Sequence, residues 1–105
     1  MDKILQMLDE MGIPFAYDHF AEGESPDSPF ICYLIPGTDH FSADGKVYQK
    51  INEIHIELYT DFKDLSVEDK VETVLDKYGV FYDHTETWIE SEKMYEVLYS
   101  FEMEA

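Results

Sequence analysis

Histidines that directly follow aspartates are the residues of this 105-residue chain that most resemble a chemical site. Three dipeptides have this form: Asp18-His19, Asp39-His40 and Asp83-His84. Imidazoles and carboxylates gathered from different strands would bind a metal ion. Adjacent residues on a strand point to opposite faces, however, so one dipeptide does not direct both of its side chains at one ion. We therefore predict surface histidines and no metal site.

Other kinds of catalytic chemistry also lack a supporting pattern. The acidic residues are spread over loops and polar faces, without the carboxylate pair in an apolar context that general acid–base catalysis uses. Cys32 lies in an apolar run, where a buried and unreactive thiol is the usual finding. Asp44-Gly45 precedes Lys46-Val47-Tyr48 and not the alternating oxygen ligands of a calcium loop. The sequence predicts no catalytic residue, no cofactor and a protein that is not an enzyme.

The acidic composition restricts the partners that the chain can bind. Asp and Glu number 24 against 7 Lys plus Arg, for a formal net charge of −17. Phosphate backbones and anionic membranes are bound by clustered cations, so we expect neither direct nucleic-acid binding nor membrane binding.

The length fits one domain, residues 1–105, and an aromatic fraction of 15% indicates that the domain folds. The chain starts without the layout of a secretory signal, which favours the cytoplasm.

Two helices are predicted from apolar residues at helical spacing. The first helix covers residues 2–11, with Asp2 as its cap and Gly12 after its last turn. The second covers residues 66–78, with Ser66 and Asp69 as an S-x-x-D cap. It ends at Gly79.

The rest of the chain predicts strands, and so an α+β fold in the order α-β-β-β-α-β-β. The strands are expected at 15–20, 30–35, 54–59, 80–89 and 95–103, with a hairpin-like excursion near 38–48. In the third strand Ile54, Ile56 and Leu58 alternate with polar residues, so one face is packed and the other is polar. We expect a single antiparallel or mixed sheet with both helices packed on one face.

Aromatic side chains are the candidates for a protein-contact surface. Tyrosine and tryptophan at a surface are enriched in interfaces. A two-layer domain of this size cannot enclose every tyrosine of its strands, and the excursion carries a phenylalanine in a polar stretch. The alternative, that most of these rings complete the core, stays open. The candidate interface residues are Phe41, Tyr48, Tyr59, Trp88 and Tyr99.

Several stretches of the chain carry a family resemblance. They are 29–34 (PFICYL), 41–48 (FSADGKVY), 54–60 (IHIELYT) and 88–99 (WIESEKMYEVLY). Together they resemble small tail-completion proteins of Gram-positive siphophages and prophages, the tail-terminator or head–tail joining proteins. The resemblance implies a sheet flanked by helices and a non-enzymatic structural role, without active-site residues to carry over.

The same resemblance implies partners and a location. The chain would form a homo-oligomeric ring, such as a hexamer, either by itself or only on assembly, at the tail end or head–tail junction, and would contact other tail or connector proteins. It would be found in the host cytoplasm during assembly and then in the tail or neck of the virion.

The charge has two further interpretations. Six copies of a −17 chain carry −102, and an acidic lumen would let DNA pass without retaining it. The charge also serves solubility alone in many proteins.

The alternative function is an acidic DNA mimic or inhibitor that binds a basic host protein. A mimic needs carboxylates spaced like phosphates, whereas the acidic residues here are interrupted by apolar residues and lysines.

Overall fold

The computed structural model describes residues 2–43 and 46–104, with residues 2, 38–43 and 46–50 described by their backbone alone. Its elements follow the predicted order α-β-β-β-α-β-β, an α+β fold. They are α1 (Asp2–Met11), β1 (Phe15–Tyr17), β2 (Phe30–Ala43), β3 (Lys46–Thr60), α2 (Leu65–Lys77), β4 (Tyr82–Ile89) and β5 (Met94–Glu104).

The strands form one mixed sheet in the order β1-β2-β3-β5-β4. β1 runs parallel to β2, and the remaining pairs are antiparallel. β1 is shorter than the predicted strand 15–20, because Asp18 has a positive φ of 64° that takes the backbone out of the extended region. The predicted strand 80–89 likewise begins later, at Tyr82.

Both helices pack on one face of the sheet, as predicted. The alternation of β3 turns Ile54, Ile56 and Leu58 to this face, where all three are fully buried. One hydrophobic cluster joins these residues to both helices and to β5. Its other members include Ile4, Met7 and Leu8 of α1, Val71 and Leu75 of α2, and Val97, Tyr99 and Phe101 of β5.

The predicted excursion is the outer part of a long antiparallel hairpin of β2 and β3. Pairing continues to Ala43↔Lys46, whereas β5 joins β3 only from Ile51↔Glu104 onward. Beyond that point the sheet narrows to two strands. We call the outer hairpin (residues 38–43 and 46–50), which has the pair Thr38↔Asn52 at its base, the arm. The arm lengthens the molecule, whose extents are 51 × 29 × 23 Å. The predicted turn, Asp44-Gly45, lies outside the described residues.

The N-terminal cap of α2 is Asp64 and not the predicted pair Ser66 and Asp69. Asp64 is extended, with φ −129° and ψ 94°, and its Oδ1 accepts hydrogen bonds from the backbone N–H of Ser66 at 3.1 Å and of Val67 at 3.4 Å. Ser66 lies inside the first turn, where its hydroxyl donates to Asp64 Oδ1 at 2.6 Å. The prediction was wrong by two residues because Ser66 and Asp64 are both good capping types.

The C-terminus of α2 lies where the sequence predicts it. Gly79 has a φ of 68°, a region that L side chains rarely adopt. Its N–H donates to the carbonyl of Asp76 at 3.0 Å, and the N–H of Val80 donates to that of Leu75 at 3.3 Å. This pair of bonds is a Schellman motif, and it uses carbonyls that the helix leaves without a partner.

Lys63 joins the start of α2 to the edge strand β4. Its Nζ lies 2.8 Å from Glu68 Oε2 and 3.0 Å from Glu86 Oε1. The Glu68 side chain is only 7% exposed, so Lys63 is the cation that compensates a buried carboxylate. These hydrogen bonds raise the pKa of Lys63 and keep the ammonium charged.

We expect Asp64→Ala to lower the free energy of unfolding by about 1 kcal/mol, because two N–H groups of the first turn lose their acceptor. Urea unfolding at pH 7 measures the change. Asp69→Ala is the matched control, an exposed acid just after the first turn of the same helix, and should change stability by less than about 0.5 kcal/mol. Equal losses from both variants would contradict the assignment of the cap.

We expect Lys63→Met to lower the free energy of unfolding by about 1–3 kcal/mol, because the Glu68 carboxylate stays buried without its cation. Lys93→Met serves as control, since the Lys93–Glu90 pair is exposed on both sides and such pairs contribute at most about 1 kcal/mol. Urea unfolding of both variants measures the two losses in free energy of unfolding. A Lys63→Met loss no greater than that of Lys93→Met would show that Glu68 does not depend on this cation.

Candidate protein-interaction surfaces

The sheet face opposite the helices, which we call the open face, carries aromatic, polar and acidic side chains. Three rows run across β2, β3 and β5 on this face. They are Phe30–Tyr59–Glu96, Cys32–Glu57–Leu98 and Leu34–His55–Ser100. Cys32 is buried and the others are half-buried. The predicted apolar strand 30–35 is therefore covered by helices on one side only, since Phe30, Cys32 and Leu34 point to the open face.

A cleft forms at one end of the open face, where the loop 18–29 folds over it. The ring of Phe20 packs edge-on against Phe30, with centroids 5.6 Å apart, and Phe30 stacks on Tyr59 at 5.2 Å. Asp18 and Glu92 contribute carboxylates to the rim. We call this space, about 260 Å³, the aromatic–acidic cleft. Its lining combines flat apolar rings with negative charge, which suits a cationic side chain with an apolar stem.

Cys32 lies against this cleft and is 6% exposed. Burial raises the pKa of its thiol to about 11, and the charges of Glu57 and Asp18 add to the shift. The thiol is therefore protonated at neutral pH, which makes it a poor nucleophile. The predicted buried cysteine is confirmed.

Glu57 and Glu96 form a half-buried carboxylate pair that the sequence analysis did not anticipate. The hydroxyl of Tyr59 lies between them, 2.8 Å from Glu96 Oε2 and 3.2 Å from Glu57 Oε1. Burial raises the pKa of Glu57, and the charge of Glu96 raises it further. Glu57 and Tyr59 are two residues apart, so the sequence alone places them on the same face of β3. Glu96 comes beside them only through the pairing of β3 with β5.

A second surface, which we call the corner patch (Phe62, Leu65 and Trp88), lies where β3 ends. Tyr95 pairs with both Thr60 and Trp88, which brings the end of β4 beside the end of β3. The side chains of Phe62, Leu65 and Trp88 are 64%, 70% and 42% exposed. Large exposed apolar side chains near one end of a sheet are typical of protein-contact sites.

A third apolar feature lies at the other end of β4. Phe81 is 98% exposed and borders a shallow groove of about 780 Å³ between the start of β4 and the end of β5. The groove is also lined by Lys3, Asp83 and Glu102, so it is more polar than the corner patch.

The structure separates the predicted interface residues. Trp88 lies in the corner patch, and Tyr59 lies in the open face beside the cleft. Tyr99 is fully buried, and its hydroxyl donates to Glu72 Oε2 at 2.8 Å. It therefore belongs to the core and presents no surface to a partner. The side chains of Phe41 and Tyr48 lie outside the described residues.

Of the Asp-His dipeptides, Asp83-His84 is arranged as strand geometry requires. In β4 the ring of His84 lies 5.8 Å from Tyr99 on the helix side, whereas Asp83 pairs with Ser100 on the open face. Asp18-His19 lies after β1, with His19 Nδ1 2.9 Å from Asp18 Oδ2. Among the described residues, no group of three or more His, Cys, Asp and Glu is arranged to hold a metal ion. The side chain of His40 lies outside them.

No helix within residues 2–43 and 46–104 combines the length and apolar character that crossing a membrane requires.

We expect Glu57→Gln to stabilise the protein at pH 7 and to give a smaller gain as the pH falls toward 4. The raised pKa means that the folded chain binds this proton more tightly than the unfolded chain, so ionisation of Glu57 costs stability as the pH rises. Thermal unfolding from pH 4 to 8 measures the effect. Glu102→Gln, at an exposed position of β5, controls for the loss of one negative charge. Equal gains from both variants would contradict a local effect at Glu57.

Comparison with known proteins finds similarity in structure but not in sequence. No protein-family model matches the chain, and no curated protein matches it. The fold is similar to that of a chain in the virion of a native gene transfer agent particle, with a TM-score of 0.64 and 11% sequence identity. The similarity covers 93% of this chain and 82% of that chain. At this identity, the comparison shows a shared fold.

Proposed function

We propose that the chain is a non-enzymatic structural protein of a phage or prophage particle. In this proposal it forms a ring at the tail end or head–tail junction, as a tail-terminator or head–tail joining protein, through protein–protein contacts. The observation that carries the proposal is the similarity of fold, over 93% of the chain, to a chain of a gene transfer agent virion. The stretches that resemble tail-completion proteins agree with the same role, although no family model matches the chain.

The distribution of surfaces suits assembly. A ring is built from heterologous contacts, in which two different surfaces of each copy meet. The corner patch with Trp88, the open face with Tyr59 and the arm are different parts of the molecule. Each copy therefore has more than one surface for its neighbours and for other tail or connector proteins.

The negative charge suits a position along the path of DNA. A chain of net charge −17 disfavours phosphate contacts, so a ring of such chains would present DNA with a lumen that repels it. DNA would pass without direct binding. The ring would form in the host cytoplasm during assembly and remain in the tail or neck of the virion.

We expect the purified chain to form an oligomer of discrete mass, because ring closure limits the number of copies. Multi-angle light scattering over a range of protein concentrations measures the mass, and electron microscopy of the same sample shows whether the oligomer is a ring. A chain that stays monomeric at every concentration and does not co-sediment with purified tail tubes would contradict the proposal. A monomer that binds a basic DNA-binding protein in competition with DNA would instead support the acidic DNA mimic.

A further inference from the structure

The arm and the aromatic–acidic cleft lie at opposite ends of the sheet. The arm begins beyond Ile51, whereas the cleft lies beside the paired residues Phe30 and Tyr59. The eight steps of β3 from Ile51 to Tyr59 span about 26 Å at the usual rise of a strand. The arm of one copy therefore does not reach its own cleft, and each feature is available to another copy.

The sequence segment 38–50, which contains the arm, is unusual in this acidic chain because its formal charges balance. The sequence 38–50 contains Asp39, Asp44, Lys46 and Lys50, which sum to zero, whereas the whole chain carries −17. Two copies of a −17 chain repel each other, so they meet most favourably where one of them brings no net charge. Both lysines of the arm belong to its β3 strand, residues 46–50.

The cleft has the complementary character. The loop that folds over it, residues 18–29, contains four acidic residues and no lysine. Glu92 adds a carboxylate from the β4–β5 turn, and the neighbouring Lys93 is already paired with Glu90. The rings of Phe20, Phe30 and Tyr59 line the cleft, and an ammonium group is favourable beside an aromatic face.

We propose that the arm of one copy docks into the aromatic–acidic cleft of the next, where the lysine charges of its β3 strand complement the carboxylates of Asp18 and Glu92. The inference rests on the proposed self-assembly and names its contact. Because the two surfaces differ and lie at opposite ends, repetition of the contact runs head to tail. Such a contact closes a ring when the rotation per copy is right, and otherwise extends a filament.

Disulfide cross-linking between two full-length variants tests the contact. Both carry Cys32→Ser, which removes the native thiol beside the cleft. One copy carries Lys46→Cys or Lys50→Cys, and its partner, distinguished by a mass tag, carries Glu92→Cys. After mild oxidation we expect mixed dimers to form at least about tenfold faster than with a control partner carrying Asp76→Cys, since docking raises the effective concentration of the thiols. Asp76 is exposed on α2, away from the cleft.

Charge reversal gives a second test in which each variant controls the other. Lys46→Glu/Lys50→Glu places a negative arm before a negative cleft, and Asp18→Lys/Glu92→Lys places a positive cleft before the lysines of the arm. We expect each double variant alone to lose the oligomer, and an equimolar mixture to recover it with alternating copies. Circular dichroism of each variant confirms that it is folded. Loss without recovery in the mixture, from folded variants, would overturn the inference.

The outcomes separate this inference from the proposed function. A wild-type oligomer of discrete mass, with position 92 cross-linking no faster than position 76, would leave the structural role intact and overturn the arm–cleft contact. Fast cross-linking at position 92 supports the contact whatever the mass of the wild-type particle. A wild-type monomer without fast cross-linking at position 92 would overturn both.

Discussion

The two-residue alternation of β3 is the constraint on which the rest of this structure depends. Ile54, Ile56 and Leu58 are fully buried under the helices, and the residues between them form the middle of the open face. Because successive side chains of a strand point to opposite faces, a shift of one residue in pairing would expose the apolar set and bury the acidic one. The register of β3 with β2 and β5 therefore sets the core and the open face together.

The few cations of the chain are used to hold elements together. Lys63 joins α2 to β4, and Lys77 contacts Glu10, which joins α2 to α1. Hydrogen bonds from Lys77 and Tyr78 lower the pKa of Glu10, so this carboxylate stays ionised in the folded chain. In a chain with 24 acidic residues, such pairs place positive charge where the helices and the sheet meet.

The acidic residues have a different consequence on the open face. Glu57 and Glu96 are held close by one tyrosine hydroxyl, and both are half-buried, which raises the pKa of Glu57. A cation that docks nearby would relieve the repulsion between the carboxylates. The net charge also limits where copies can approach one another, so the neutral arm has a physical advantage as a contact element. Charge and topology thus both agree with the proposed head-to-tail arrangement.

The sequence by itself determined the element order, the end of α2 at Gly79 and the packed face of β3, because periodicity and glycine conformation are local properties. The burial of Tyr99 could also be predicted from the sequence, because Tyr99 alternates in phase with the buried residues Val97 and Phe101. The parallel pairing of β1, the Glu57–Glu96 pair and the corner patch came from the tertiary structure alone. Each of them joins residues distant in sequence, and the register that brings such residues together is set by packing across the whole sheet.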